Sequence, residues 1–235
     1  RLTHIRVESG ELGFKNPDEL TADECRFIGF FLAEGASTRL QSGGIEYKVC
    51  QVKDKYPAIV RWFDEVIRST GFHCVRKEKR RKLHGRFKKV VYWSFPRGTG
   101  HGNQARYGLF PIEPYLKHEG SELFWGLNEE QFDALIEGFW HGDGHHGNAK
   151  NGMPQSVFMS GCYKELFNLF SAVGAVRGWR CNLTEIPLEK KNSKWHRQYG
   201  IRMIKGRCLY ISCKTPINHE DYLPEEVWCV RTTSK

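Results

Sequence analysis

The sequence predicts an α+β protein of two pseudo-symmetric halves, each running α-β-β-α-β-β with a helical tail, joined through a pair of parallel helices. Two observations carry this. A nearly all-apolar helix ending in an acid-Gly pair occurs twice, its closing acids Glu34 and Asp143 lying 109 residues apart. The same order of strand-like and helical segments then follows each copy.

The first copy opens on Leu20 with a capping box, Thr21 and Glu24 three residues on, and stops at Gly35, which is expected as a left-handed C-terminal cap. The second opens on Leu127 with Asn128 and Gln131 and ends at Asp143-Gly144. After the first come strand-like runs at Ser37–Gln41 and Ile45–Val52 around a Gly43-Gly44 turn. A helix over Pro57–Ser69 follows, with Ile59, Val60, Phe63, Val66 and Ile67 at helical spacing and Gly71 at its end. A hairpin from His73 to Phe95 turns at His84-Gly85. In the second half, Ser156–Ser160 reads as a strand and Tyr163–Val173 as a helix. Trp179–Ile186 with Tyr199–Ile204 reads as a hairpin. The expected division is a leader over 1–19, a first half with linker over 20–126, a second half over 127–218 and a tail over 219–235.

Neither half holds a core of its own, so the two apolar helices are expected to pack on each other. Gly29 and Ala33 lie four apart on one helix, and Gly138 and Gly142 do the same on the other. An interior glycine costs a helix about 1 kcal/mol relative to alanine. Its recurrence at matching places points to close backbone approach at the interface rather than to tolerated glycines. Parallel packing brings Glu34 and Asp143 together at the C-terminal ends of both helices. Two carboxylates there repel each other and the helix dipoles, so a cation is needed. Paired carboxylate oxygens suit a hard divalent ion such as Mg²⁺.

Residues 27–35 (Phe-Ile-Gly-Phe-Phe-Leu-Ala-Glu-Gly) and 136–144 (Ile-Glu-Gly-Phe-Trp-His-Gly-Asp-Gly) both resemble the nine-residue LAGLIDADG motif of homing endonucleases. The resemblance covers roughly residues 20 to 215. It implies two αββαββα halves with saddle-shaped antiparallel sheets lying in the DNA major groove, and metal-dependent hydrolysis of one phosphodiester on each strand. Two motifs in one chain imply a monomer needing no protein partner, with double-stranded DNA as its ligand. Glu34 and Asp143 match the metal-binding acids, with the carbonyls of Ala33 and Gly142 beside them; Glu34 replaces the commoner Asp and adds a methylene. Mg²⁺, as two or more ions, is implied, with Mn²⁺ substituting and Ca²⁺ binding without supporting cleavage. Family members place a Lys or Gln beside each acid to order water. Lys117 and Gln51 fit that place in the first half, and Lys214, with Lys205 behind it, in the second. A solvated surface lysine is the plain alternative for each. His141, His145 and His146 match no zinc spacing.

Lys and Arg number 36 against 27 Asp and Glu, a formal charge of +9, which favours an anionic partner. Ten Lys or Arg fall between Phe72 and Arg97 with Glu78 the only acid, and nine fall from Arg177 to Arg207 against Glu185 and Glu189. They alternate with apolar residues at strand spacing, so the charges line one face of a sheet. The expected DNA contacts are Arg39, Gln41, Lys48, Arg76, Lys77, Lys79, Arg81, Arg86 and Lys88 in the first half. Lys190, Lys191, Arg197, Gln198 and Arg202 are those of the second. Arg39, Gln41, Arg76 and Gln198 are the candidates for base contacts.

The eight cysteines form no CxxC pair, so neither a zinc ribbon nor a redox motif is signalled, and reduced thiols in an intracellular protein of a prokaryotic or phage-infected cell are expected. No apolar run approaches 18 residues, which leaves a membrane-spanning role without support. The chain begins on Arg, from which a processed chain or a segment of a longer one is expected. The Val227-Trp-Cys-Val230 run resembles a motif near the C-terminus of inteins; a strand without that history is the alternative. Three functional classes follow. The first is a site-specific endonuclease. The second is a cleavage-deficient nucleic-acid binder on the same scaffold, such as an RNA maturase or DNA-binding regulator. The third, a membrane-surface or acidic-protein binder, accounts for the charge but not for the repeated helices.

Overall fold

The computed structural model describes residues 14–39, 41, 45–83, 85–96, 110–145, 153–186 and 198–206. In the first half, α1 (Ala22–Glu34) leads to β1 (Gly35–Arg39), β2 (Ile45–Val52), α2 (Pro57–Thr70), β3 (Val75–Leu83) and β4 (Arg86–Pro96). Short 3₁₀ turns at Phe110–Tyr115 and Glu122–Gly126 connect to α3 (Glu129–Asp143). Then come β5 (Ser156–Gly161), α4 (Lys164–Val176), β6 (Trp179–Ile186) and β7 (Gln198–Lys205). The architecture is α+β, with one antiparallel sheet in the order β1-β2-β4-β3 and a second in the order β5-β7-β6.

Among the described residues the second sheet therefore has three strands where the αββαββα expectation has four. Among the described residues the place of β1 is marked by a single bridge, Gly144 opposite Met159, which mirrors Gly35 opposite Val49 in the first half. Residues 146–152 of that stretch lie outside the described residues, as do the expected helical tail of the second half and the intein-like run.

Both long helices start on complete capping boxes. Thr21 Oγ1 accepts from the Glu24 amide at 3.2 Å and Glu24 Oε2 from the Thr21 amide at 2.9 Å. Asn128 and Gln131 repeat the exchange at 2.9 Å each way, satisfying backbone donors that open a helix. Gln131, though buried, is fully used: its Nε2 donates to the carbonyls of Pro17 and Leu20, both at 2.7 Å, tying the entry of α1 to that of α3.

The two helices run parallel and in backbone contact. A methyl group on Gly29 would lie 2.0 Å from the Leu135 carbonyl oxygen, and one on Gly138 would lie 2.0 Å from that of Arg26. Further along, a methyl on Gly142 would meet the Ala33 Cβ at 2.4 Å. Arg26 spans the seam, donating to Glu137 on α3 and to Asp23 on its own helix, both at 2.7 Å. Around this seam each half packs an aromatic cluster. Phe27 meets Phe63 and Phe95 at ring separations of 5.5 and 5.1 Å, and Phe139 meets Phe167 and Phe170 at 5.7 and 5.4 Å.

One sequence expectation fails at the helix ends. Gly35 has φ −85° and ψ 162°, and Gly144 has φ −86° and ψ 154°, so neither is a left-handed cap. Both chains pass straight from helix into extended backbone. Glycine is required there by crowding: a Cβ on Gly35 would lie 2.4 Å from the Phe31 carbonyl oxygen, and one on Gly144 would lie 2.2 Å from Cδ1 of Trp140. Gly71, by contrast, ends α2 at φ 69° in the left-handed region, as expected of a glycine cap.

Candidate functional site

Because α1 and α3 are parallel and in register, their last residues arrive together. Glu34 and Asp143 are both half-buried, and Gly142 abuts Ala33 and the Glu34 side chain. Burial, opposed by a hydrogen bond from Gln51, raises the Glu34 pKa above the usual carboxylate range. Asp143 is pushed further, to about 7, by burial first and then by the charge of Glu34. The two acids thus sense each other at a point where both helix dipoles are also negative, an arrangement that favours a bound cation.

Gln51 is 5% exposed and holds Glu34 from the adjoining strand, its Nε2 donating to Glu34 Oε1 at 3.0 Å while its own Oε1 accepts from the Val52 amide at 2.8 Å. Both ends of the amide are engaged, which fixes the carboxylate's orientation. The second half departs from this plan. With Gly35 opposite Val49 and Gly144 opposite Met159, the position equivalent to Gln51 on β5 is Gly161. That strand position carries no side chain, and Asp143 and Gly161 instead line a cavity of about 470 Å³ with Ser160, Cys162, Tyr163, His118 and Gln198, among others. This asymmetry is invisible in the motifs, which are symmetric. It emerges only from strand register.

The remaining expected groups fall in different places. Lys117 is exposed and precedes His118, whose Nδ1 lies 3.2 Å from the Leu32 carbonyl oxygen, so the lysine is anchored near the end of α1. Lys205 is committed elsewhere. It pairs with Asp133 and with Glu129 at 3.4 Å on α3, ten residues or more before Asp143 and so roughly 15 Å up the helix axis. It is excluded as a water-ordering partner of Asp143. Lys214 lies outside the described residues.

Register also sorts the basic hairpin. Buried Val49, Val91, Trp93 and Phe95 place one face of the first sheet against the helices. Arg76 sits opposite Trp93 on that face and donates to Asp64 of α2 at 2.9 Å, beside the Trp93 indole, which donates to the same oxygen at 2.8 Å. Arg76 is therefore a structural ion pair and not a base-reading residue. Arg39, opposite Ile45, belongs to the same side, exposed at the strand's end. The other face carries Lys48 on β2, Lys77, Lys79 and Arg81 on β3, and Arg86 and Lys88 on β4. Its acid, Glu46, is paired with Lys48 at 2.5 Å. Arg81 reaches back along this face to lie 5.3 Å from the centre of the Tyr92 ring, next to Cys50. The Cys50 thiol is raised by burial and by the charge of Glu34, and lowered by Arg81. A cationic surface thus runs from the hairpin toward the first acid. In the second half Arg202 shares its face with Asn182 and Phe158, and Gln198 lines the cavity. Gln41 lies in an exposed turn; Lys190, Lys191 and Arg197 lie outside the described residues.

Two helices closing on an acid pair and two antiparallel sheets are the arrangement that the resemblance to LAGLIDADG proteins implies. No family model matches the sequence, and no curated protein matches it. Among solved structures, the chain is similar to the homing endonuclease I-DmoI in complex with DNA and Ca, at 13% identity and a TM-score of 0.48 over 77% of this chain and 82% of that one. It is similar to the homing endonuclease I-WcaI bound to its DNA recognition sequence, at 17% identity and a TM-score of 0.43 over 80% and 79%. It is also similar to the N-terminal LAGLIDADG domain of WhiA, at 14% identity and a TM-score of 0.44 over 80% and 77%. No helix among the described residues is long and apolar enough to cross a membrane.

Proposed function

We propose that this chain is a metal-dependent, site-specific endonuclease that binds a long DNA duplex through its cationic sheet faces and hydrolyses one phosphodiester on each strand. The observation that carries this is the meeting of Glu34 and Asp143 at the paired ends of two equivalent helices. Two acids on a pseudo-twofold axis match two scissile phosphates related by the dyad of duplex DNA.

The donor set fits a hard divalent cation. Among the described residues no group of three or more His, Cys, Asp and Glu gathers. Two carboxylates with the neighbouring carbonyls of Ala33 and Gly142 leave places for phosphate and water, as Mg²⁺ prefers. Mg²⁺ or Mn²⁺ held there supplies Lewis-acid polarisation of the phosphate and lowers the pKa of water. The chain's own part is positional. Gln51 fixes Glu34, apolar Phe31 and Trp140 back the helix ends, and Lys117 contributes positive charge beside α1. The row Lys77, Lys79 and Arg81 binds phosphates and sets the register of the duplex.

One observation favours a second reading, a nucleic-acid binder without cleavage: the strand position that supplies Gln51 to Glu34 is Gly161 beside Asp143. The two readings separate in one experiment. A randomised duplex library is incubated with Mg²⁺, and with Ca²⁺ as the non-supporting control, and cut ends are sequenced. A single long site cut on both strands with Mg²⁺ alone is the expected result. Specific retention of duplex without cut ends would replace the nuclease by the binder.

A further inference from the structure

His118 has no part in the chemistry above, yet it occupies the cavity beside Asp143. Its ring is clamped between the two halves, stacked on Phe31 of α1 at 5.9 Å and 20° and on Tyr163 ahead of α4 at 5.4 Å and 14°. Nδ1 faces the Leu32 carbonyl oxygen at 3.2 Å, in the last turn of α1. A carbonyl only accepts, so Nδ1 carries the hydrogen, and in the neutral ring this leaves Nε2 as an acceptor. Among the described residues no hydrogen bond occupies Nε2. The ring is thus fixed in plane, in tautomer and in place.

The need for such a group follows from the strand register. The first half supplies Gln51 to its acid, whereas the matching strand position in the second is Gly161, and the cavity beside Asp143 is lined by His118 and Gln198. Resting on the nuclease reading, we propose that His118 Nε2 accepts a hydrogen bond from the attacking water on the strand served by Asp143, as a counterpart to Gln51 across the pseudo-twofold axis. The two strands are then cut by unlike sites, one organised by an amide and one by an imidazole.

The test uses a duplex recovered from the library, labelled on each strand in turn. His118→Asn places an amide nitrogen where Nδ1 stood and can still donate to Leu32, but offers nothing at the Nε2 position. It is expected to melt within a few degrees of wild type and to slow one strand at least tenfold while sparing the other. His118→Gln, whose amide reaches the Nε2 position, is expected to recover part of that rate. Gln51→Ala is expected to slow the opposite strand. Cutting of both strands at wild-type rates by His118→Asn would overturn the proposal, as would equal slowing of both strands or slowing of the same strand by His118→Asn and Gln51→Ala. A wild-type protein that cuts neither strand would overturn the nuclease reading along with it.

Discussion

Replacing Gly29 by alanine sets two effects of opposite sign against each other. Alanine at an interior helix position stabilises by about 1 kcal/mol relative to glycine when nothing else changes. Here the added methyl would lie 2.0 Å from the Leu135 carbonyl oxygen and 2.7 Å from the Phe139 amide nitrogen. Both neighbours are backbone atoms of α3, so no side chain can turn aside and the helices themselves must separate. Overpacking in a rigid core costs about 1–3 kcal/mol, and backbone neighbours put this site at or beyond the upper end. The net expectation is a loss of about 2 kcal/mol, which lowers the melting temperature by about 4–8 °C for a chain of this size. Gly138→Ala, whose methyl would meet the Arg26 carbonyl oxygen at 2.0 Å, is expected to behave alike. Thermal unfolding followed by circular dichroism measures both. An unchanged or raised melting temperature in either variant would refute the close-packed seam.

Stability should also fall with rising pH between about 4 and 7. The folded pKa of Asp143, about 7, exceeds its ordinary 3.8, so the folded state holds a proton that the unfolded state has released across that window, and the unfolded state gains as pH climbs. Asp143→Asn is expected to flatten this slope, and added Mg²⁺ to raise the wild-type melting temperature most above pH 7; an unchanged slope in the variant contradicts the assignment. For the hairpin, Lys79→Ala is expected to lower the slope of log affinity against log salt by about one phosphate's worth, roughly 0.9. Arg76→Ala is expected to leave that slope alone and to cost up to about 1 kcal/mol of stability, the usual range for a partly exposed ion pair. A binding titration over several salt concentrations checks both, and equal slopes for the two variants would undo the facial assignment.

The sequence made the helices and acids legible because their signals are local and repeated. Capping boxes, apolar runs and acid-Gly ends recur, and Glu34 and Asp143 follow from parallel packing alone. Faces were harder. Period-two alternation puts Arg76 and Lys77 on opposite sides of β3, but only the register of Arg76 against Trp93 says which side meets α2. Gly35 looks like a left-handed cap because its contact with Phe31 depends on how the chain leaves the helix. The ion pair of Lys205 is not legible in the sequence because its partner Asp133 lies 72 residues away. His118 belongs to no motif. It occurs once, outside both repeats, and its meaning comes from rings and a carbonyl contributed by both halves. Its place in a turn just before the second motif was the one available hint.

In the proposed mechanism one pair of carboxylates cuts while the sheets bind, and a single paired assay separates these duties. Wild type, Glu34→Gln and Asp143→Asn are titrated against the recovered duplex in Ca²⁺ for affinity and then supplied with Mg²⁺ for cleavage. Both variants are expected to bind as tightly as wild type or tighter, since each removes a negative charge facing phosphate, and to release no cut product from the strand that the altered acid serves. Cutting of both strands at wild-type rates by Asp143→Asn, or affinity lost in step with cleavage, would overturn the nuclease reading.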